Sequence, residues 1–315
     1  MRNAPLVSVV VASRNYGRYI REALDSALRQ TLTDFEIVII DDGSTDGTEA
    51  VVRPYLADRR VRYFQCDRLG QSRAKNLGLG LTSGRYVAYL DADDVWLPEK
   101  LDRQVRLFEA SGPSLGVVYC RRRLIGPNGD LQAAPVATLH RGWLLSRLLV
   151  QNSITFSSVM VRRDVLEHVG AFDAGLELGI DFELWLRVGM HYEFDYVDDL
   201  LVKYRTGHGN LSTRLCDRIE SAVAVKRRFL DRRGGLARVG SERVMASWAS
   251  TYRTIGYLMR PTDVAAAIRS YGRAAMIDGG WRGSLRSMIA CGASWAGRRL
   301  GRVEAVAPEN LPENV

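Results

Sequence analysis

Cysteine is scarce in this chain of 315 residues, and the four present, Cys66, Cys120, Cys216 and Cys291, are scattered with no C-x-x-C pair. Neither a disulfide framework nor a zinc site fits that spacing, and a reducing cytoplasm is the expected setting. Long apolar runs are missing too. A membrane-spanning helix needs roughly 20 such residues, and the best late candidate, Met288 to Ala296, lies between Arg286 and Arg298. Near the N-terminus, Leu6 to Ala12 is followed at once by polar Ser13-Arg14-Asn15, so it reads as a first strand and not as a signal peptide. There is no internal repeat and no low-complexity tract. With 46% hydrophobic residues the chain can fill the core of one large domain or two ordinary ones.

Acidic residues are thin in the last third. From Arg214 to Val303 there are 18 Lys and Arg against 6 Asp and Glu, which leaves 26 against 30 for the rest and hides an asymmetry inside the net charge of +8. There RVMASWASTYRTIGYLMR and WRGSLRSMIACGASWAGRRLGRV interleave Trp, Met, Leu and Ile with arginine. Two readings follow: helices lying on an anionic bilayer, peripheral to the cytoplasmic face of the inner membrane, or a helical extension packed on the main domain with a solvated basic face. Nucleic acid is a poor partner, because no recognised module accompanies the charge.

The run Leu6 to Ala12 is β-branched and apolar, as a strand covered on both faces is. Arg18 to Gln30 follows with helical spacing at Ile20, Ala23, Leu24, Ala27 and Leu28. The alternation continues with strands at Phe35 to Ile40, Val61 to Gln65 and Tyr86 to Leu90, and with helices at Thr45 to Leu56 and Gln71 to Leu81. Such alternation predicts right-handed crossovers and an α/β fold with a mostly parallel sheet. A helix to about Ala110, a strand at Leu115 to Cys120 and a turn at Gly126-Pro127-Asn128-Gly129 come next. Residues 140 to 213 lose the repeat, and beyond Arg214 the pattern is helical, broken at Gly234-Gly235, Pro261 and Gly279-Gly280.

In an open parallel sheet, ligands bind beyond the carboxyl ends of the strands. Those ends are polar here: Ser13-Arg14-Asn15-Tyr16, Asp41-Asp42-Gly43-Ser44 and Asp91-Ala92-Asp93-Asp94. Each alone is compatible with capping or turn chemistry. Asp42 is placed to accept hydrogen bonds from a base N–H or from ribose hydroxyls, with Ser13 and Asn15 beside it. The crowded carboxylates Asp91, Asp93 and Asp94 repel one another unless a positive charge lies between them. Mg²⁺ or Mn²⁺ shared with substrate phosphates is the expected one, the alternative being an acidic turn that caps the next helix. Arg73 and Asn76, three apart on one helical face, are expected to line the nucleotide side.

The combination VSVVVASRNYGRYIREALDSALRQTLTDFEIVIIDDGSTDGT, GQSRAKNLGLGLTSGRYVAYLDADDVWLPEKL and GIDFELWLR resembles the inverting family-2 glycosyltransferases of the GT-A (Rossmann-like) fold over residues 5 to 213. The resemblance implies that Asp42 contacts the base of a nucleoside diphosphate sugar, that Asp91 and Asp93 form the DxD motif whose last aspartate holds the metal, and that Asp181 is the catalytic base. Inverting transfer needs one such carboxylate, and Asp181 opens the helix DFELWLRVG, where it also suits an N-cap. Many relatives have Glu-Asp at that helix start, whereas Ile180 precedes Asp181 here. Glu183 is an alternative base. The stretch YRTGHGNLS, residues 204 to 212, is similar to the family's flexible loop near the diphosphate, which makes His208 a candidate for the metal or a phosphate oxygen and Arg205 for the diphosphate.

The expected division is a GT-A domain over 1–213, with a nucleotide-binding half at 1–110 and an acceptor half at 111–213, followed by a basic helical extension over 214–315. The expected activity is metal-dependent transfer of a sugar, with UDP-sugars favoured as donors and a lipid-linked or glycan hydroxyl as acceptor. A nucleotidyltransferase is the rival enzyme, although SRNYGRY makes a poor phosphate loop; a non-catalytic sugar-nucleotide binding module is the other, and it needs neither Asp93 nor Asp181.

Overall fold

The apolar run at the start of the chain becomes β1 (Val7–Ser13), near the middle of an eight-stranded sheet, with nearly every side chain buried. A computed structural model describes residues 4–133, 137–209, 215–232, 234–280 and 283–291; the expected boundary at 213/214, Leu211-Ser212 of the glycine-flanked loop, Trp281-Arg282 and the basic residues after 291 lie outside them. Contacts divide the chain into one unit of Met1–Leu144 with Ser153–Thr213 and another of Leu145–Asn152 with Arg214–Val315. The first contains the sheet. Residues 145–152, assigned from sequence to the acceptor half, thus group with the C-terminal helices.

The strands after β1 are β2 (Phe35–Asp42), β3 (Val61–Cys66), β4 (Tyr86–Tyr89), β5 (Val95–Trp96), β6 (Leu115–Ile125), β7 (Met160–Arg162) and β8 (Glu193–Arg205), in the spatial order β3-β2-β1-β4-β7-β6-β8-β5. The pairs β1–β2, β2–β3 and β1–β4 are parallel, as are β6–β8, whereas β7 runs antiparallel to both β4 and β6. The sheet is therefore mixed and mostly parallel. Two reversals through β7 restore the direction, so β8 runs with β4, and the end of β8 emerges on the same edge as the ends of β1 to β4.

Helices α1 (Ile20–Leu28), α2 (Thr48–Val52), α3 (Gln71–Gly80) and α4 (Lys100–Glu109) make the crossovers. The single helix expected over Thr45 to Leu56 is cut short at both ends. Gly47 precedes it with φ +84°, and Pro54 turns its last residues into a 3₁₀ segment, Arg53–Ala57. Of the crossover helices, α3 lies unusually close to the sheet: a Cβ at Gly78 would stand 2.6 Å from Val10 Cγ1. In the second unit α5 (Leu145–Val150) joins the later helices. The first unit continues with α6 (Arg163–Val169) and α7 (Ile180–Gly189), and the second with α8 (Leu215–Arg232), α9 (Gly235–Val239), α10 (Ser241–Met259) and α11 (Val264–Asp278).

The second unit is pinned by a buried lysine, Lys226. Lys226 donates to Thr251 Oγ1 (2.8 Å) and reaches the carbonyls of Ser247 and Val150, while Ser247 Oγ donates to Leu149 O at 2.6 Å. These bonds tie α5 to α8 and α10. Burial pushes the Lys226 ammonium down to about 8. Among the described residues no helix is long and apolar enough to cross a membrane.

Gly78→Ala is expected to lower stability by about 1–3 kcal/mol through overpacking against Val10, read as a shift in the urea midpoint at unchanged slope. An unshifted midpoint would mean that α3 can retreat from the sheet.

Candidate active site

The carboxyl ends of β1, β2 and β4 bring Ser13, Asp42 and the Asp91–Asp94 turn to one edge, with Ser13 opposite Asp41 in register. The turn is tightly held. Asp94 N–H donates to Asp91 O (3.1 Å) and Asp91 N–H to Ser157 Oγ (3.1 Å). Two protein cations meet its charge. Lys75, buried on α3, places its ammonium 3.1 Å from Asp91 Oδ1 and 4.0 Å over the Phe156 ring. Arg205 arrives from the end of β8 with a side chain 0% exposed. Its backbone N–H donates to Asp94 Oδ1 (2.9 Å), Nε to Asp93 O (2.8 Å), Nη1 to the carbonyls of Gly126 and Pro127, and Nη2 to Glu22 (2.7 Å).

Two expectations change here. Repulsion in the turn is met in part by Lys75 and Arg205, so crowding alone does not call for a metal. Arg205, expected at the diphosphate, lies buried behind the turn and braces its backbone, because a guanidinium with no exposed surface is spent on its carbonyl and carboxylate partners. Repulsion nonetheless persists. Burial, then Asp91, pushes the Asp93 carboxyl up to about 7, against the pull of Arg205 and Lys75, and burial followed by Asp93 and Asp91 raises Asp94 well above the carboxylate range.

His208 sits between Gly207 (φ +80°) and Gly209 (φ +83°), backbone conformations that favour glycine. Its Nε2 stands 2.8 Å from Asp93 Oδ2 without the alignment of a hydrogen bond. The ring lies against Tyr19, with centroids 4.8 Å apart, and edge-on to Tyr16 at 6.0 Å. Burial, then Arg205, lowers its pKa and keeps the imidazole neutral. A neutral imidazole nitrogen and a carboxylate oxygen in contact, neither satisfied by the other, fit a shared divalent cation. No cluster of three His, Cys, Asp or Glu suited to a metal occurs among the described residues, so a cation there would need further oxygens from a substrate and water.

On the side expected to face a nucleotide, Asp42 is buried at the end of β2 and accepts from the backbone N–H of Leu69 (2.5 Å) and Gly70 (3.0 Å), which fixes the entry to α3. Ser13 Oγ is buried with no partner among the described residues, an open donor and acceptor at the strand end. Asn15, at φ +59°, donates its N–H to Ser44 Oγ (2.9 Å) and accepts from Thr45 N–H (2.8 Å), while Gly17 N–H donates to Asp46 (2.9 Å). The DGSTDGT stretch thus clamps the loop that carries Tyr16 and Tyr19. Arg73 is exposed on α3. Asn76 is committed elsewhere: its amide donates to Phe172 O (2.8 Å) and accepts from Phe172 N–H (2.9 Å).

That pairing is one of three by which α3 holds the loop before α7. Ser72 Oγ donates to Leu176 O (2.5 Å), and Gln71 Nε2 donates to Glu177 O. Gly179, at φ +67°, starts α7, and Asp181 sits partly exposed in its first turn. Glu183 is excluded as a base. It is buried against Arg187, which bridges it at 2.7–2.9 Å and also donates to the carbonyls of Val169, Gly170 and Ala171. Sequence reasoning passed over Lys75, Ser157 and the Tyr16–Tyr19 pair. For Lys75 a signal existed, since it shares α3 with small residues Ala74 and Gly78 that face the sheet; for Ser157 there was none.

A family model described as Glycosyl transferase family 2 matches residues 8–170. An uncharacterised glycosyltransferase of Haemophilus influenzae is 31% identical over 239 residues, covering 72% of this chain and 73% of that protein, and one of Rickettsia typhi is 29% identical over 234 residues, 72% of each. Among solved structures, S. aureus TarS 1-349 in complex with UDP-GlcNAc matches with a TM-score of 0.58 at 18% identity, over 95% of this chain and 93% of that one. The mannosyltransferase PcManGT from Pyrobaculum calidifontis in complex with GDP-Man and Mn²⁺ matches with a TM-score of 0.63 at 18% identity, over 95% and 84%. At such identities the likeness shows the fold, which is the GT-A arrangement expected from the sequence.

Arg205→Met is expected to cost about 2–3 kcal/mol in urea unfolding, because the carbonyls of Asp93, Gly126 and Pro127 lose their donor; a loss below about 1 kcal/mol would mean that the brace is dispensable. A raised folded-state carboxyl contributes stability that is present at low pH and lost as pH rises through its folded value. The melting temperature of the unliganded protein is therefore expected to fall as pH rises from about 4 to about 7, and Asp93→Asn to flatten that fall; a profile identical to the parent's would remove Asp93 as its source.

Proposed function

This chain belongs to glycosyl transferase family 2, and from that premise we propose that it transfers a sugar from a nucleoside diphosphate donor to a hydroxyl acceptor with inversion at the anomeric carbon. The observation that carries the reading is the convergence of Asp93 and His208 in a contact that is not a hydrogen bond, at the strand edge where a nucleotide is expected. Asp93 and His208 would hold Mn²⁺ or Mg²⁺, with Asp91 beside them. Bound there, the cation supplies positive charge that offsets the departing diphosphate.

The chain's own residues divide the remaining work. Asp42 and the open hydroxyl of Ser13 recognise the nucleoside, and Asn15 shapes the loop over it. Lys75 lies against Asp91 and offsets part of the charge of the acidic turn. Asp181 takes the proton from the acceptor hydroxyl as that oxygen forms its bond to the anomeric carbon and the bond to the diphosphate breaks on the opposite face. Arg187 holds Glu183 out of this role and fixes the turn of α7 from which Asp181 projects. Arg73, exposed on the same helix as Lys75, reaches the outer side of the donor. TarS with UDP-GlcNAc and PcManGT with GDP-Man and Mn²⁺ support a nucleotide-sugar donor; a UDP-sugar is favoured, and the acceptor is a lipid-linked or glycan hydroxyl.

A panel of UDP-, GDP- and dTDP-sugars with Mn²⁺ or Mg²⁺ tests this, reading both donor binding by calorimetry and release of nucleoside diphosphate. Turnover of one donor is expected, with metal-dependent binding lost in Asp93→Ala. Asp181→Asn is expected to keep that binding and lose about 10²–10⁴-fold in rate. Unchanged turnover in Asp181→Asn removes the base assignment, and binding of no nucleotide under any condition removes the transferase reading.

A further inference from the structure

Helix α11 has two unlike faces. Ala267, Ser270, Tyr271, Ala274 and Ala275 are buried. On the other side Ile268 is 38% and Met276 69% exposed, with Arg269 and Arg273 also exposed. At 100° per residue Ile268 and Met276 fall about 80° apart, and the two arginines lie along one margin of the stripe they define. The same pattern recurs in the helix at residues 283–291. Ser284 and Cys291 are buried, Leu285 (53%) and Ile289 (63%) are exposed one turn apart, and exposed Arg286 stands at their side.

No acid breaks either stripe, and the two that flank α11 are engaged: Asp263 caps its first turn through Ala266 N–H (2.8 Å), and Asp278 is paired with Arg253 (2.7 Å). The second unit holds 19 Lys and Arg against 9 Asp and Glu, which leaves 25 against 27 for the first. We propose that the second unit docks on an anionic lipid bilayer through these two outward faces, Ile268, Met276, Leu285 and Ile289 entering the headgroup boundary and the arginines meeting the phosphates.

Charge selects this occupant. A two-fold contact with a second copy would bring the basic margins of like surfaces together. A nucleic acid would set its phosphates against four apolar side chains. A bilayer of anionic lipids accepts both halves of the pattern, apolar groups below the phosphate level and guanidinium groups at it. The docking is independent of the transfer reaction and is tested without it.

The experiment is co-sedimentation of the full chain with phosphatidylcholine vesicles, with and without phosphatidylglycerol. Retention only on the phosphatidylglycerol vesicles is expected. Met276→Ser and Ile289→Ser should each weaken it roughly tenfold and Arg269→Ala or Arg273→Ala roughly fivefold, with circular dichroism unchanged. Loss of retention to the same degree in controls such as Leu56→Ser, or no retention on any vesicle, would overturn the proposal. So would light scattering that shows a dimer dissociated by Met276→Ser, or RNA binding that needs the same arginines while vesicles are ignored.

Discussion

Three carboxylates within four residues of one turn are the constraint around which the first unit is assembled. Negative charge held this close is costly unless it is offset, and the chain offsets it from separate parts of its sequence. Lys75 comes from α3, and Arg205 comes from the end of β8 and enters beneath the turn, reaching back to Glu22 on α1. The sheet order makes this possible. Because two antiparallel steps through β7 return β8 to the direction of β4, a residue more than a hundred positions later is delivered to the same edge as Asp93. What the cations leave unmet falls on Asp93 and Asp94, and the unaligned nitrogen of His208 stands beside the first of them.

Helix α3 is the second organising element. Its entry is fixed by Asp42 through the N–H groups of Leu69 and Gly70, its middle supplies Lys75 to the acidic turn, and its outer side receives the loop that leads to Asp181. One helix therefore ties Asp42, the acidic turn and the loop before α7 into a common frame. The close approach at Gly78 gives that frame its rigidity, since the helix cannot move toward the sheet and its polar contacts oppose movement away.

Much of the fold was legible because strands buried on both faces leave unbroken apolar runs. β1, β2, β3 and β4 were placed to within a residue or two at most of their ends for that reason. β5 and β7, with two and three residues, are too short to leave a periodic trace, and it is they that turn a parallel sheet into a mixed one. At the site, residue type and strand-end position marked Asp42, Asp91 and Asp93. The role of Arg205 was hidden because an arginine spent on buried carbonyls looks, in sequence, like one that awaits a phosphate. Asn76 was misread because spacing identifies a helical face without naming what covers it. Glu183, offered as an alternative base, had a readable pairing: Arg187 follows four residues later, the separation at which a helix pairs opposite charges.

The contacts from α3 to the loop before α7 share one property. Asn76 pairs with the N–H and C=O of Phe172, Ser72 with the carbonyl of Leu176, and Gln71 with the carbonyl of Glu177. All of these partners are main-chain atoms, so the docking is blind to the side chains displayed along residues 173–179. That segment is a cassette in one sense: these rungs fix its backbone without reading its side chains, whereas Gly179 at its end is held by its positive φ.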